Sequence, residues 1–267
     1  MECTLNAVAI IQARIGSTRL PGKVLADICG KPLLERLIER VRATQGISRV
    51  VVATTTDSAD DVLAGWCVAH DVPVYRGSVN DVLDRFWQCA QQHPAEFIVR
   101  VTADDPLKDP QIIAQALALC ASAPEVDYAS NTLHPTYPEG LDIEVVRFRT
   151  LERAASEAKL PSEREHVMPY VWKHPDRFVL RNFSMQPDLS HWRWTVDKPA
   201  DLELVRRIFT HFAGQPLVGY QAVIAWLNEN PELLAINAGT IRHEGYFLTL
   251  VTEQKNDPGH NSPNRRQ

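Results

Sequence analysis

The stretch "IIQARIGSTRLPGKVL", Ile10–Leu25, sets three cations and two glycines between an apolar run and a helical pattern. Upstream, Ala7 to Ala13 is an apolar run of strand length. Downstream, "KPLLERLIERVRA" places Leu33, Leu34, Leu37, Ile38 and Val41 at helical spacing behind Pro32. The order is strand, loop, helix. A glycine-containing turn at a helix start offers backbone N–H donors to a phosphate, and Arg14, Arg19 and Lys23 add positive charge. The loop is not a P-loop, because five residues separate Gly16 from Gly22 and Val24 follows Lys23 where a hydroxyl is required. A dinucleotide-type GxGxxG is absent too, and taken alone the string is equally compatible with a solvated basic turn.

The rhythm repeats. "VVVAT" precedes a helix from Ser58, "VPVYRG" precedes "VNDVLDRFWQCAQQ", and "FIVRVTA" precedes "PQIIAQALALCA". Apolar strands alternating with amphipathic helices imply an α/β fold, a three-layer, mostly parallel Rossmann-like sheet whose ligand site lies beyond the carboxyl ends of the strands. From Val126 the pattern loosens into "VDYASNTLHPTYPEGLDIEVV", a hairpin-like excursion over the sheet. "HWRWTVD" has the look of a further strand, with Trp192 and Trp194 on one face as core packing. The expected divisions are a main domain over 1–215 with an inserted lobe at about 131–185, a helical extension over 216–250 and a disordered tail over 251–267.

Composition narrows the function. With 267 residues, a net charge of −5 and a pI near 6.0, the chain has no global electrostatic reason to bind nucleic acid or an anionic membrane, so any anion must be held by a local site. Five scattered cysteines with no CxxC pair imply reduced, mostly buried thiols. The N-terminus lacks the cations of a signal peptide and no stretch approaches the ~20 apolar residues of a membrane span, which together imply a cytoplasmic protein.

Two acidic positions fall where such a sheet keeps its ligands. "RVTADDPLKDP" ends a strand on Asp104 and Asp105, of which only one can face the site directly, and "WRWTVDKPADLELVRR" presents Asp197 just before a helix. Each is either a magnesium ligand beside a nucleotide or a helix N-cap.

Taken together, the opening segment, "VVATTTD", "RGSVNDVLDRF", "RVTADDPLKDP" and "WTVDKPADLELVR" resemble the CMP-sugar synthetase superfamily, which includes 3-deoxy-manno-octulosonate and acylneuraminate cytidylyltransferases. "TYPEGLDIEVV", "SEREHVMPY", "HWRWTVD" and "HEGY" (His243–Tyr246) resemble its spore coat polysaccharide biosynthesis protein F type, over about Ala7 to Leu250. The resemblance implies a nucleotidyltransferase fold of the GT-A-like kind, and transfer of a cytidylyl group from CTP to an acidic sugar with release of pyrophosphate, for surface polysaccharide or glycan synthesis. It implies that Arg14, Arg19 and Lys23 grip the triphosphate, that Gly16 and Ser17 present donors to it, and that Asp104 and Asp197 hold magnesium. Arg14, Lys23, Asp104 and Asp197 are then the catalytic set. Thr55, Asp57, Ser78 and Asp81 are candidates for the pyrimidine edge, with turn and cap chemistry as the alternative for each. Asn131, Tyr137, Glu139, Asp142, Glu144, Arg164 and His166 are candidates for the acceptor, Arg164 for its carboxylate. Ala103 stands where the family usually has glycine, and Asp105 and Lys108 also depart from its pattern.

The resemblance further implies a homodimer, paired near Tyr137 to Trp172. Two rivals stand beside this reading: the same fold with another NTP or a different acceptor, and a nucleotide-binding module without turnover. Retention of both aspartates with all three loop cations speaks against the second.

Overall fold

The computed structural model describes residues 5–256. In chain order, the strands are β1 (Ala7–Gln12), β2 (Asp27–Ile28), β3 (Lys31–Pro32), β4 (Ile47–Thr55), β5 (Val74–Gly77), β6 (Phe97–Thr102), β7 (Tyr128–Ser130), β8 (Glu144–Arg147) and β9 (Leu180–Asn182). The helices are α1 (Leu33–Arg42), α2 (Asp61–Ala69), α3 (Val82–Gln92), α4 (Pro110–Ala121), α5 (Phe148–Glu157), α6 (Pro161–His166), α7 (Pro169–Trp172), α8 (Pro199–His211), α9 (Tyr220–Glu229) and α10 (Glu244–Asn256).

Seven strands form one sheet in the order β5-β4-β1-β6-β8-β7-β9, and only β8 runs against the others. The period of two explains the three layers. Ala7, Ala9 and Ile11 of β1 join one core cluster with α1, α2, α4, α8 and α9, while Val8 and Ile10 join the opposite one with α3, α5 and α7. Both faces are therefore covered, as continuous apolar strands require.

Three expectations change. Residues 131–185 do not stand apart as a lobe: β8 and β9 extend the sheet and α5–α7 cover one face, because Val145 and Val146 alternate and both are fully buried. "HWRWTVD" forms no regular strand. Its backbone pairs with two partners in turn, Trp194 N–H donating to Glu139 O (2.7 Å) and Val196 N–H to Asp104 O (2.8 Å), so no ladder develops, although Trp192 and Trp194 are indeed buried. Helix α10 continues through Asn256, so the expected tail does not begin at 251, and its remainder, 257–267, lies outside the described residues. Cys67, Cys89 and Cys120 are buried free thiols, Cys29 is exposed, and Cys3 lies outside the described residues.

Candidate active site

The carboxyl ends of β1, β4, β5 and β6 rise to the same rim of the sheet, and the opening loop crosses it. The loop is held by its own backbone and by one carboxylate. Gly22 N–H donates to Ile15 O (3.0 Å), Gly22 itself adopts φ +71°, and Ile15 N–H donates to Asp60 Oδ1 (2.7 Å). The left-handed turn at Gly22 delivers Lys23 inward, where it is buried although Arg14 and Arg19 are exposed.

Lys23 Nζ donates three hydrogen bonds: to Asp104 Oδ2 (3.0 Å), to Asp197 Oδ1 (2.8 Å) and to Val196 O (2.8 Å). Two carboxylates from distant segments, Asp104 just past β6 and Asp197 just before α8, thus converge on one cation. Burial works against the Lys23 ammonium, but the charges of Asp104 and Asp197 outweigh it and raise its pKa. Burial alone would lift the Asp104 carboxyl; the Lys23 charge reverses this and holds it at about 2. Arg19 adds a second cation, with Nη2 at 2.8 Å from Asp197 Oδ1 and Nη1 at 2.5 Å from Glu244 Oε2.

Neither aspartate is a cap. The cap ahead of Pro110 is Asp109, which accepts from Gln111 N–H (2.8 Å), and before α8 it is Asp201 that accepts from the N–H groups of Asp197 (2.9 Å) and Lys198 (2.8 Å). Asp105 is tied back by Thr102 Oγ1 (2.7 Å) and Lys108 Nζ (2.8 Å). Burial, then the charge of Asp104, pushes the Asp105 carboxyl up to about 6 in spite of Lys108. The donor set suits a hard divalent cation, which takes one or two carboxylates together with phosphate oxygens and water. Among the described residues no cluster of three or more His, Cys, Asp or Glu offers an all-protein metal cage.

Asp104 and Asp197 line a cavity of about 850 Å³ shared with Arg100, Glu139, Asp142, Glu144, His166, Trp172 and Tyr246. Its charges arrive already paired: Arg100 with Glu144, Arg242 with Asp142, Arg193 with Glu139. Helix α10 forms one wall, where Tyr246 packs edge-on against His166 (5.1 Å between ring centres) and His166 Nε2 lies 3.0 Å from Thr249 Oγ1. Burial, then the charges of Arg100, His243 and Lys173, lowers the His166 pKa to about 4, so the ring is neutral at pH 7.

A family model described as cytidylyltransferase matches residues 8–228. The chain belongs to the cytidylyltransferase family. This cytidylyltransferase is 32% identical over 232 residues to the spore coat polysaccharide biosynthesis protein SpsF of Bacillus subtilis, covering 84% of this chain and 94% of that one. It is 39% identical over 122 residues to the 3-deoxy-manno-octulosonate cytidylyltransferase of Geobacter sulfurreducens, about half of each chain. A solved cytidylyltransferase from Leptospira borgpetersenii superposes with a TM-score of 0.83 at 32% identity, covering 90% of this chain and all of that one. The protein is a CTP-dependent nucleotidyltransferase of α/β fold.

The structure distributes the expected site residues unevenly. It brings together Arg19, Lys23, Asp104 and Asp197, and Glu139, Asp142, Glu144 and His166 line the adjoining cavity. Ser17 accepts from Leu20 N–H (3.4 Å), while Arg14 and Gly16 are exposed on the loop. The four candidates for the base do not line the cavity. Thr55 donates to Asp60, Asp57 caps the turn at Ser58–Asp60, Ser78 Oγ accepts from Asp81 N–H (3.1 Å), and Asp81 caps α3. Arg164 does not line the cavity. It grips Asp81 (Nη2–Oδ2 2.6 Å) and Ala155 O (2.7 Å), fastening α6 to the start of α3. Asn131 is fully buried and clasps Leu141 O and Ile143 N–H (2.9 and 2.8 Å), and Tyr137 is buried in the core, so both shape the cavity-lining loop at Glu139–Asp142 from behind. The reading missed Asp60, Arg100, Arg193, Asp201, Arg242 and Glu244, whose partners lie on other segments of the chain.

Proposed function

We propose that this cytidylyltransferase transfers the cytidylyl group of CTP to a hydroxyl of an acidic sugar, with magnesium, for surface polysaccharide or glycan synthesis. The observation that carries the reading is the convergence of Asp104 and Asp197 on Lys23, beside the cations of the opening loop. The acceptor oxygen attacks the α-phosphorus, the bond from that phosphorus to the bridging oxygen of the β-phosphate breaks, and pyrophosphate leaves. Most of the barrier is a matter of alignment and of charge on the phosphoryl oxygens. Arg14, Arg19 and Lys23 hold the phosphates and stabilise the leaving side. Asp104 and Asp197 would hold the metal, which when bound neutralises phosphate charge and polarises the phosphoryl oxygens. The cavity walled by Glu139, Asp142, Glu144 and His166 receives the sugar.

Support for an acidic acceptor comes from the 3-deoxy-manno-octulosonate cytidylyltransferase relative, and the spore coat polysaccharide relative supports a role in surface polysaccharide synthesis. The geometry adds paired cations in the cavity, Arg100 and Lys108, that can exchange a protein carboxylate for one on the sugar. The proposal extends to a homodimer working in the cytoplasm without nucleic-acid or membrane partners. No described helix is long and apolar enough to cross a membrane. Incubation with CTP, magnesium and a mixture of eight- and nine-carbon sugar acids, followed by mass spectrometry, should yield a CMP-sugar and pyrophosphate. Reaction only with neutral sugars, or preference for another NTP, overturns the assignment.

A further inference from the structure

Arg193 is buried, 6% exposed, and three carboxylates surround its guanidinium. Nη2 lies 2.6 Å from Asp197 Oδ2, Nε lies 3.1 Å from Asp201 Oδ1, and Nη1 pairs with Glu139 Oε2. The two oxygens of Asp197 are therefore divided. Oδ2 belongs to Arg193, while Oδ1 faces the site and takes Lys23 and Arg19, both at 2.8 Å. The backbone is fixed by the same cluster: Asp201 Oδ2 accepts from Asp197 N–H, and Asn237 Nδ2 donates to both Asp201 Oδ1 and Arg193 O at 2.9 Å. On the other side, Glu139 lines the cavity and its Oε1 accepts from His243 N–H (3.0 Å), just ahead of α10. Gly140 seals the junction at φ +107°, where a Cβ would sit 2.7 Å from Thr195 N and 2.8 Å from Trp194 C.

We propose that Arg193 is a positioning residue that commits Asp197 to present Oδ1 to the nucleotide–metal centre and couples that commitment, through Glu139, to the acceptor wall. The proposal rests on the assignment of Asp197 made above. A carboxylate whose far oxygen is held by a fixed donor offers one oxygen at a constant angle, and such outer partners set metal affinity. A planar guanidinium spreads its donors over a fixed fork and so reaches all three separated carboxylates from one buried position. An ammonium is a point charge and cannot span them.

The test is Mn2+ binding in the presence of CTP, followed by water-proton relaxation on the full chain, for wild type, Asp197→Asn and Arg193→Lys. Arg193→Lys should keep wild-type circular dichroism yet weaken CTP-dependent Mn2+ binding roughly 10- to 100-fold. The magnesium concentration for half-maximal pyrophosphate release should rise by a similar factor, with kcat at saturating metal less affected. Wild-type Mn2+ affinity in folded Arg193→Lys overturns the proposal and leaves Arg193 a scaffold residue. If Arg193→Lys fails to fold, Arg193→Gln takes its place: it removes the guanidinium that holds Asp197 Oδ2, and wild-type Mn2+ affinity there is equally fatal. Absence of CTP-dependent Mn2+ uptake in the wild type, visible before any substitution, overturns the assignment of Asp197 and the proposal with it.

Discussion

The side of the site proposed for the nucleotide and the side proposed for the acceptor draw their charges from the chain in different ways. On the first side, one short loop supplies all three cations: Arg14 and Arg19 are exposed, Lys23 is buried, and Arg19 and Lys23 share Asp197 Oδ1. On the acceptor side, each cation is spoken for by an acid from a different segment: Arg100 by Glu144, Arg193 by Glu139, Arg242 by Asp142. Exposed cations attract any polyphosphate. A wall of paired charges binds by exchanging partners, so its selectivity rests on whether the incoming group reproduces the geometry it displaces.

The contrast breaks first at Asp104. Asp104→Asn should fold normally and lose at least about a hundredfold in pyrophosphate release; near-wild-type turnover would remove the nucleotide side from the mechanism. Arg164→Ala asks which side Arg164 serves. Loss of its bonds to Asp81 and Ala155 should lower stability by about 1–2 kcal/mol, seen as a lower Tm, with the acceptor KM unchanged. A raised acceptor KM at unchanged Tm would return Arg164 to the acceptor. Glu244→Gln asks whether the two sides touch. Freeing Arg19 from a partly exposed pair should tighten CTP binding about two- to fivefold by calorimetry, and weaker binding would show that Glu244 assists the nucleotide.

The smallest effect is on pH dependence. Folding holds the His166 pKa at about 4 against an ordinary 6.5, so the unfolded chain takes up that proton first as pH falls. The contribution of His166 to stability is present above pH 6.5 and is lost between 6.5 and 4. His166→Gln should flatten that part of the stability profile; an unchanged slope would mean that other groups carry it.

What the sequence disclosed follows the same division. The layered sheet was legible because Ala7 to Ala13, "VVVAT" and "FIVRVTA" carry their burial in consecutive residues. Asp104 was legible as a strand-end residue because it follows β6, and the strand-end rule needs no knowledge of tertiary contacts, whereas Asp197 follows no strand and meets Lys23 only through the tertiary fold. The candidates that lie away from the cavity are those with two chemically valid uses. Asp81 and Arg164 suit ligands as well as they suit each other, and only the packing of α3 against α6 brings them together. Arg193 was nearly within reach, since it stands four residues before Asp197 in "WRWTVD", but its partners Glu139 and Asn237 lie 54 and 44 positions away.

Gly140 also bears on how the acceptor pocket can be redesigned. Contact there is made by main chain against main chain, with no room for a side chain, so position 140 itself admits only glycine where this loop meets the segment bearing Asp197. Residues 132–136 reach the cavity ahead of that joint, through Thr132, Leu133 and His134. Redesign there must keep Thr136, whose Oγ1 accepts from Met185 N–H and whose carbonyl accepts from Leu189 N–H, both at 2.8 Å, and Tyr137 buried beside it.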